Sequence, residues 1–257
     1  MSQLIPAINI PTQTHSSLDT YMTCPRMYEA KHVLKSVKFE SSPDSIWGDH
    51  AHHHLEMAVA SNGQVRIPPE LNKRTGQNMT DYQWVSDALL QRAANKGGTI
   101  LPERKFAIGK QKESASYWDK FGFLRGKIDV TIIYPHLRLA EVFDHKSGKK
   151  KEDPAQLTMY NASALVDYPE IDVVKGAYIW LQLPPKEAIG KPITHTRDQL
   201  PAIWNEIDRK YHAVVRAWET NTFPPRPSGL CGWCDVKTCE FWFESKEKLR
   251  RKKLAEA

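Results

Sequence analysis

No run of about eighteen consecutive apolar residues occurs in the 257-residue chain, which excludes a membrane-spanning helix. Its first residues, MSQLIPAINIPTQTHSS, have neither a basic n-region nor a continuous apolar segment, so no secretory leader is expected. Glycine (13) and proline (17) are too few and too dispersed for a collagen-like or low-complexity chain. Cysteine is scarcer still: four residues cannot staple a disulfide scaffold, and intracellular thiols are normally reduced. The signatures G-x-G-x-x-G, H-E-x-x-H and G-x-S-x-G are all absent. GFLRGKI, around Gly126 and Lys127, has only three residues between its glycines, and Ile128 stands where a phosphate loop needs Ser or Thr.

What is present describes a globular chain. Forty per cent of residues are hydrophobic and 10% aromatic, while 36 Lys and Arg face 30 Asp and Glu. The resulting +6 is a mild pointer to a polyanionic partner. A cytoplasmic protein without a membrane partner is the expectation.

Element signals follow one another without internal repeats or long linkers. Ser16 or Ser17 is placed to cap a helix over LDTYMTCPRMYEAKHV, broken by Pro25 beside Cys24. A second helix is expected over Ile46 to Ala60, and a third after a cap at Thr80, ended by Gly97 and Gly98. Three strand-like segments follow, LPERKFAI, FLRGKIDVTIIY and LRLAEVFDHK, the last two joined at Pro135-His136 as a hairpin. Asp153 then caps a helix that begins at Pro154, VVKGAYIWLQL reads as a buried strand, and LPAIWNEIDRKYHAVVRAWETN as a long amphipathic helix. This order predicts one α/β domain with a mixed sheet flanked by helices. Its parts are a helical segment over 15–98, a core over 99–221, a cysteine loop over 222–243 and a basic tail over 244–257.

The cysteines are few but unevenly placed. Cys24 stands alone, while Cys231, Cys234 and Cys239 form C-x2-C-x4-C in a loop rich in Gly, Pro and Trp. Four soft thiolates suit tetrahedral zinc or an iron–sulfur cluster, and a single cysteine plus a triplet fits a zinc ribbon poorly. The alternative is four unrelated cysteines packed as small hydrophobes.

Asp129 and the tripeptide Asp144-His145-Lys146 fall on the two strands of the expected hairpin. Neighbouring strands would bring the two carboxylates within reach of one hard divalent cation, Mg2+ or Mn2+. An ammonium beside such a pair suits phosphodiester hydrolysis. Alternation places Asp144 and Lys146 on one face of the strand and His145 on the other. A solvated Asp–Lys pair at a hairpin end is the plain alternative. In GDHAHHHLEMAV, His52 and Glu56 share a helix face, as do His50 and His54, and one of these histidines can complete a metal sphere or belong to a surface patch.

These elements stand in a telling order. Gly48, His52 and Glu56 (G-x3-H-x3-E) are followed by Glu103, by Gly126 to Asp129 (G-x-I-D), by Asp144 to Gly148 (D-x-K-x-G) and by Gln156 and Tyr160 (Q-x3-Y). The set resembles the PD-(D/E)xK nuclease superfamily with its restriction-endonuclease-like core. It is most similar to the RecB-like exonuclease branch, which includes the CRISPR-adaptation exonuclease and stand-alone bacteriophage nucleases. That branch carries one cysteine before the core in a C-P-x-x-Y context and three after it, as Cys24-Pro25-Arg26-Met27-Tyr28 and Cys231, Cys234 and Cys239 do here.

The resemblance covers residues 15 to 243 and implies roles residue by residue. His52, Asp129 and Asp144 resemble the metal ligands, with the backbone carbonyl of His145 as a further oxygen donor. Lys146 resembles the catalytic lysine, Glu103 an acidic residue supporting metal or lysine, and Gln156 and Tyr160 the pair that steadies the lysine or contacts the scissile strand. Cys24, Cys231, Cys234 and Cys239 resemble the ligands of a 4Fe–4S cluster, with zinc as the alternative.

The implied activity is a Mg2+- or Mn2+-dependent DNA exonuclease acting on single strands or free ends in recombination, replication or repair. A structure-specific endonuclease or nickase, and a catalytically inert DNA-binding assembly module, are the alternatives. Helicase motifs are absent, so unwinding would need a helicase or recombination partner. If the chain comes from a bacteriophage, the compartment would be the host cytoplasm. Lys149, Lys150 and Lys151 directly follow the D-x-K tripeptide and are placed to draw in a phosphate backbone. Lys246, Lys248, Arg250, Arg251, Lys252 and Lys253 form a second basic run that suits a nucleic-acid grip or a solvated helix end. Trp233 and Trp242 flank the cysteines and are placed to shield a cluster.

Overall fold

A computed structural model describes residues 9–37, 42–151, 153–243 and 246–247. Its helices are α1 (His15–Thr23), α2 (Pro25–Tyr28), α3 (Pro43–Ala60), α4 (Gln83–Asn95), α5 (Pro154–Asp167), α6 (Pro185–Ala188) and α7 (Leu200–Glu219). The strands are β1 (Thr99–Ile108), β2 (Leu124–Tyr134), β3 (Leu139–Lys146), β4 (Val173–Trp180) and β5 (Ile193–Thr196). The chain divides into two compact units, one of Met1–Glu40 with Ile207–Ala257 and the other of Ser41–Glu206. Lys248, Arg250, Arg251, Lys252 and Lys253 lie outside the described residues. Among the described residues, no helix is long and apolar enough to cross a membrane.

The Ser41–Glu206 unit is a five-stranded mixed sheet in the order β1-β2-β3-β4-β5 with helices packed on it. β1, β2 and β3 form an antiparallel meander, and β4 runs parallel to β3. A parallel neighbour requires a crossover, and α5 supplies it, started by Asp153, whose side chain accepts the Ala155 amide at 3.1 Å. α3 presents Trp47, Ala51, Leu55, Ala58 and Val59 at helical spacing to Val130, Ile132, Phe143, Ala177 and Ile179 of the sheet. Each large side chain so buried contributes on the order of 1.5–3 kcal/mol before entropy is charged.

One break in this sheet positions the site. Pairing of β2 with β3 runs from Tyr134↔Leu139 to Val130↔Phe143 and stops, whereas β3 stays paired with β4 as far as Lys146↔Trp180. The end of β3 therefore loses one neighbour and opens a gap beside Asp129.

Several boundaries differ from the sequence reading. Ser42, at the residue before Pro43, caps α3, so the helix starts three residues earlier than expected. Asn78 caps a 3-10 turn (Met79–Tyr82) that leads into α4, so Thr80 is inside the turn. The β2–β3 connection is a 3-10 turn, Pro135–Leu137, closed by Arg138 at φ +50°. β5 and α6 were not anticipated at all.

In the other unit, Thr14 caps α1 where Ser16 or Ser17 was expected. Thr14 Oγ1 accepts the Ser17 amide at 3.1 Å while Ser17 Oγ accepts the Thr14 amide at 2.9 Å, a reciprocal box. Pro25 disfavours helical backbone at its predecessor, so Cys24 is extended (φ −159°, ψ 113°) and the helix restarts with proline in its first turn. Tyr28 is buried; its hydroxyl donates to Gln13 Oε1 at 3.0 Å and accepts from Trp218 Nε1 at 3.3 Å. The C-P-x-x-Y sequence thus has a physical basis: proline sets the cysteine's backbone, and tyrosine anchors the turn.

Candidate active site

Helix α3 brings His52 to the open end of the sheet, and Gly48, one turn earlier, lets it come close. A Cβ at Gly48 would lie 2.6 Å from Ser147 Oγ, just past the end of β3. His52 Nδ1 is 3.0 Å from Asp129 Oδ1. The other Asp129 oxygen accepts the backbone amide of His145 at 2.5 Å, replacing the ladder bond that β2 no longer makes. The buried His145 ring lies 5.8 Å from that of His52, and its Nε2 has no hydrogen-bond partner. One ligand atom each of His52, Asp129 and His145 falls within 4.8 Å of the others, and among the described residues no other trio of His, Cys, Asp or Glu does so.

The charges here oppose one another. Burial pushes the Asp129 carboxyl upward, but hydrogen bonding to His52, the His52 and His145 fields and the His145 amide outweigh it and hold it below the usual carboxylate range. His52 is raised, because hydrogen bonding to Asp129 and its charge overcome burial. Burial depresses His145 to about 4, so its imidazole is neutral at pH 7, the form that ligates metal ions.

A second group adjoins this trio. Lys146 Nζ is 2.6 Å from Asp144 Oδ2 and donates to Gln156 Oε1 at 2.9 Å. Gln156 Nε2 donates to Tyr160 Oη at 2.9 Å and to Asp144 Oδ1 at 3.4 Å. Gln156 and Tyr160 are one turn apart on α5, so a single helix face supplies both. The ammonium also sits 5.2 Å over the Tyr178 ring. Burial, then the Asp129 charge, push the Asp144 carboxyl upward against the pull of Lys146.

Of the residues singled out in the sequence, His52, Asp129 and His145 meet in one group and Asp144, Lys146, Gln156 and Tyr160 in the next. Glu103 lies on β1 between the Pro102↔Val130 and Arg104↔Ile128 pairs, across from Asp129; it has positive φ (+45°) and its carboxylate accepts from Lys127 Nζ at 2.5 Å. Lys149, Lys150 and Lys151 are exposed beyond β3. The His145 side chain and Tyr178 were not anticipated as neighbours of the site. Strand alternation, which turns His145 away from Lys146, was the signal available for the first.

The four cysteines all line one cavity of about 290 Å³ within their unit. Three of the sulfurs accept backbone amides: Cys24 from Arg226 at 3.4 Å, Cys231 from Ser228 at 3.2 Å and Cys234 from Val236 at 3.5 Å. No three of them lie all within 4.8 Å of one another. Trp233 and Trp242 line the same cavity.

The fold has a distant solved counterpart. A protein from Eubacterium rectale, provisionally named an exonuclease, superposes with a TM-score of 0.50 at 11% identity, over 91% of this chain and 88% of that one. No curated protein sequence matches the chain. Residues 12–239 match the PD-(D/E)XK nuclease superfamily, an interval that contains both groups of site residues and all four cysteines. The chain therefore belongs to the PD-(D/E)XK nuclease superfamily, whose members typically use a divalent metal.

Proposed function

We propose that the chain is a metal-dependent DNA exonuclease that leaves 5′-phosphate ends. The observation that carries the reading is the clamp on Lys146 between Asp144 and Gln156, directly beside the His52–Asp129–His145 trio. The donor set fits a divalent cation: a carboxylate held ionised, a neutral buried imidazole with an unpartnered nitrogen, and Asp144 close enough to feel the Asp129 charge. His52, Asp129 and Asp144 would hold it, with His145 contributing from its side chain or backbone. A bound Mg2+ or Mn2+ supplies charge neutralisation at phosphate oxygens and acidifies water.

The residues of the chain do the rest. Gln156 and Asp144 fix the Lys146 ammonium, which then orients water and stabilises charge developing at phosphorus. Tyr160 holds Gln156 in turn. Lys149, Lys150 and Lys151 attract the backbone of the incoming strand.

The same reading assigns Cys24, Cys231, Cys234 and Cys239 to a structural 4Fe–4S cluster. Four sulfurs around one zinc ion stand about 3.8 Å apart, from a Zn–S distance of about 2.3 Å. No three of the four sulfurs lie all within 4.8 Å of one another, wider than that zinc spacing, which supports a cluster; the amide bonds to three sulfurs suit either group and would tune a cluster's potential.

End-labelled linear DNA and covalently closed circles test the reading together. Metal-dependent release of nucleotides from linear DNA alone supports an exonuclease; cutting of circles moves the assignment to an endonuclease, and no cleavage of any DNA sinks it. Anaerobically purified protein should be brown and contain iron. Colourless protein with stoichiometric zinc would defeat the cluster.

A further inference from the structure

The most exposed large apolar side chain among the described residues, Trp118 at 74%, sits in the loop between β1 and β2. Tyr117 meets it edge to face, with ring centroids 5.2 Å apart. Lys105 Nζ lies 5.6 Å from the Tyr117 centroid and 5.7 Å from that of Trp118, and the Arg125 guanidinium lies 5.8 Å from Tyr117. The loop is tied down at its base. The Ala115 amide donates to the Ala107 carbonyl at 2.9 Å, Phe123 to Ile108 at 2.9 Å and Gly109 to Glu113 at 2.9 Å. Ser114 Oγ donates to Asp167 at 2.7 Å. An aromatic pair on a pinned turn, ringed by cations and open to solvent, leaves apolar area uncovered that folding alone would bury.

This cluster leads to the active site. Lys105 pairs with Lys127 across β1 and β2. On β2, residues 125, 127 and 129 alternate onto one face. Their shared face is confirmed by α3, whose His52 reaches Asp129 while Glu56, four residues on, contributes to the field at Lys127. Arg125 to Asp129 spans four residues, about 13 Å of strand. Lys105 and Arg125 thus stand beside the aromatic pair on the face that leads to the trio, with Lys127, paired to Glu103, between them and Asp129.

We propose that Tyr117 and Trp118 form a base-stacking platform for a single DNA strand, with Lys105 and Arg125 guiding its phosphates toward Asp129. Every base has a π-face for Trp118, and only an unpaired strand offers it; a duplex keeps its bases stacked on each other. The proposal rests on the nuclease reading for its direction, since it takes the trio as the destination.

Binding of fluorescein-labelled oligothymidylate of 20 nucleotides, measured by anisotropy in EDTA so that nothing is cut, tests the platform on the full chain. Trp118→Ala should weaken binding about five- to 150-fold, the range that loss of one stacked base supports, and Trp118→Phe should restore most of it. A matching strand of abasic units should bind wild type and Trp118→Ala alike. Unchanged oligothymidylate binding by folded Trp118→Ala overturns the platform and leaves the exposed ring to a protein contact; tighter binding of wild type to a matched duplex than to the single strand overturns it too. Cleavage in Mn2+ separates the two claims. A protein that binds through Trp118 yet cuts nothing loses the nuclease reading and keeps the platform; one that cuts with no dependence on Trp118 loses the platform and keeps the nuclease.

Discussion

The Asp129 carboxylate accepts the His145 amide at 2.5 Å where the β2–β3 ladder ends, so one side chain both completes the sheet and faces His52. Structure and chemistry are joined at this residue, and the two can be separated by substitution. Asp129→Asn keeps an oxygen that can accept the amide; it should fold as wild type and lose metal-dependent cleavage. Asp129→Ala leaves the amide without its partner and should in addition lose about 1–3 kcal/mol of stability in urea. Equal stability of the two variants would show that the bond to His145 does not support the strand end.

Metal choice follows from the donors. Carboxylates serve Mg2+ and Mn2+ alike, but imidazole nitrogen favours the later metal. Cleavage should vanish in EDTA, return with either ion, and be faster in Mn2+ than in Mg2+ at equal concentration. His52→Ala should narrow that preference as well as slow the reaction. A preference for Mn2+ that survives intact in His52→Ala would remove this imidazole from the metal sphere.

Gly126 is required by Phe106. A Cβ at this position would lie 2.7 Å from the ring, which itself packs edge to face on Tyr160 at 5.9 Å. Gly126→Ala should cost about 1–3 kcal/mol by overpacking. Phe106→Leu in the same chain should recover part of the loss, and thermal melts of the single and double variants give the coupling.

Glu141 sets a pH dependence away from the active site. It is buried and accepts from Arg92 at 2.5 and 2.7 Å, from Lys96 at 3.3 Å and from Tyr134 at 3.1 Å. Burial raises its carboxyl, but the Arg92 bonds and charge, aided by Lys96, win and hold it below the ordinary glutamate value. A lowered folded value stabilises above the unfolded value, about 4.3, and that stabilisation is lost as pH falls through the folded value. Glu141→Gln should therefore be less stable than wild type near pH 7, by about 1–3 kcal/mol, with the gap closing below about pH 4. A gap independent of pH would mean that the charge of Glu141 contributes nothing.

Much of this arrangement could be read from the sequence because it rests on short-range periodicity. Gln156 and Tyr160 are one helical turn apart, and Asp129, Asp144 and Lys146 lie on strands with a clear hairpin signal. What escaped depends on geometry that spacing does not encode. The positive φ of Glu103 and its pairing with Lys127 leave no mark in the sequence. β5 is only four residues, Ile193–Thr196, too short for an alternating pattern to register. Thr14 and Asn78 won as caps because capping is decided by which hydroxyl or amide meets an unpaired N–H, and neighbouring Ser and Thr residues look equivalent in sequence. Tyr117 and Trp118 look like ordinary aromatics until the loop turns them outward.

The nuclease reading stands most directly on Lys146. Its ammonium is held by Asp144 and Gln156, and removing it leaves the His52–Asp129–His145 trio in place. Single-turnover cleavage of an end-labelled strand should be compared for wild type and Lys146→Ala in saturating Mn2+, with Mn2+ binding followed in parallel by electron paramagnetic resonance. Retained Mn2+ binding with cleavage reduced by at least about 100-fold, the lower end of what one charge-stabilising donor supplies, is the expected result. Cleavage by Lys146→Ala at the wild-type rate would contradict the assignment.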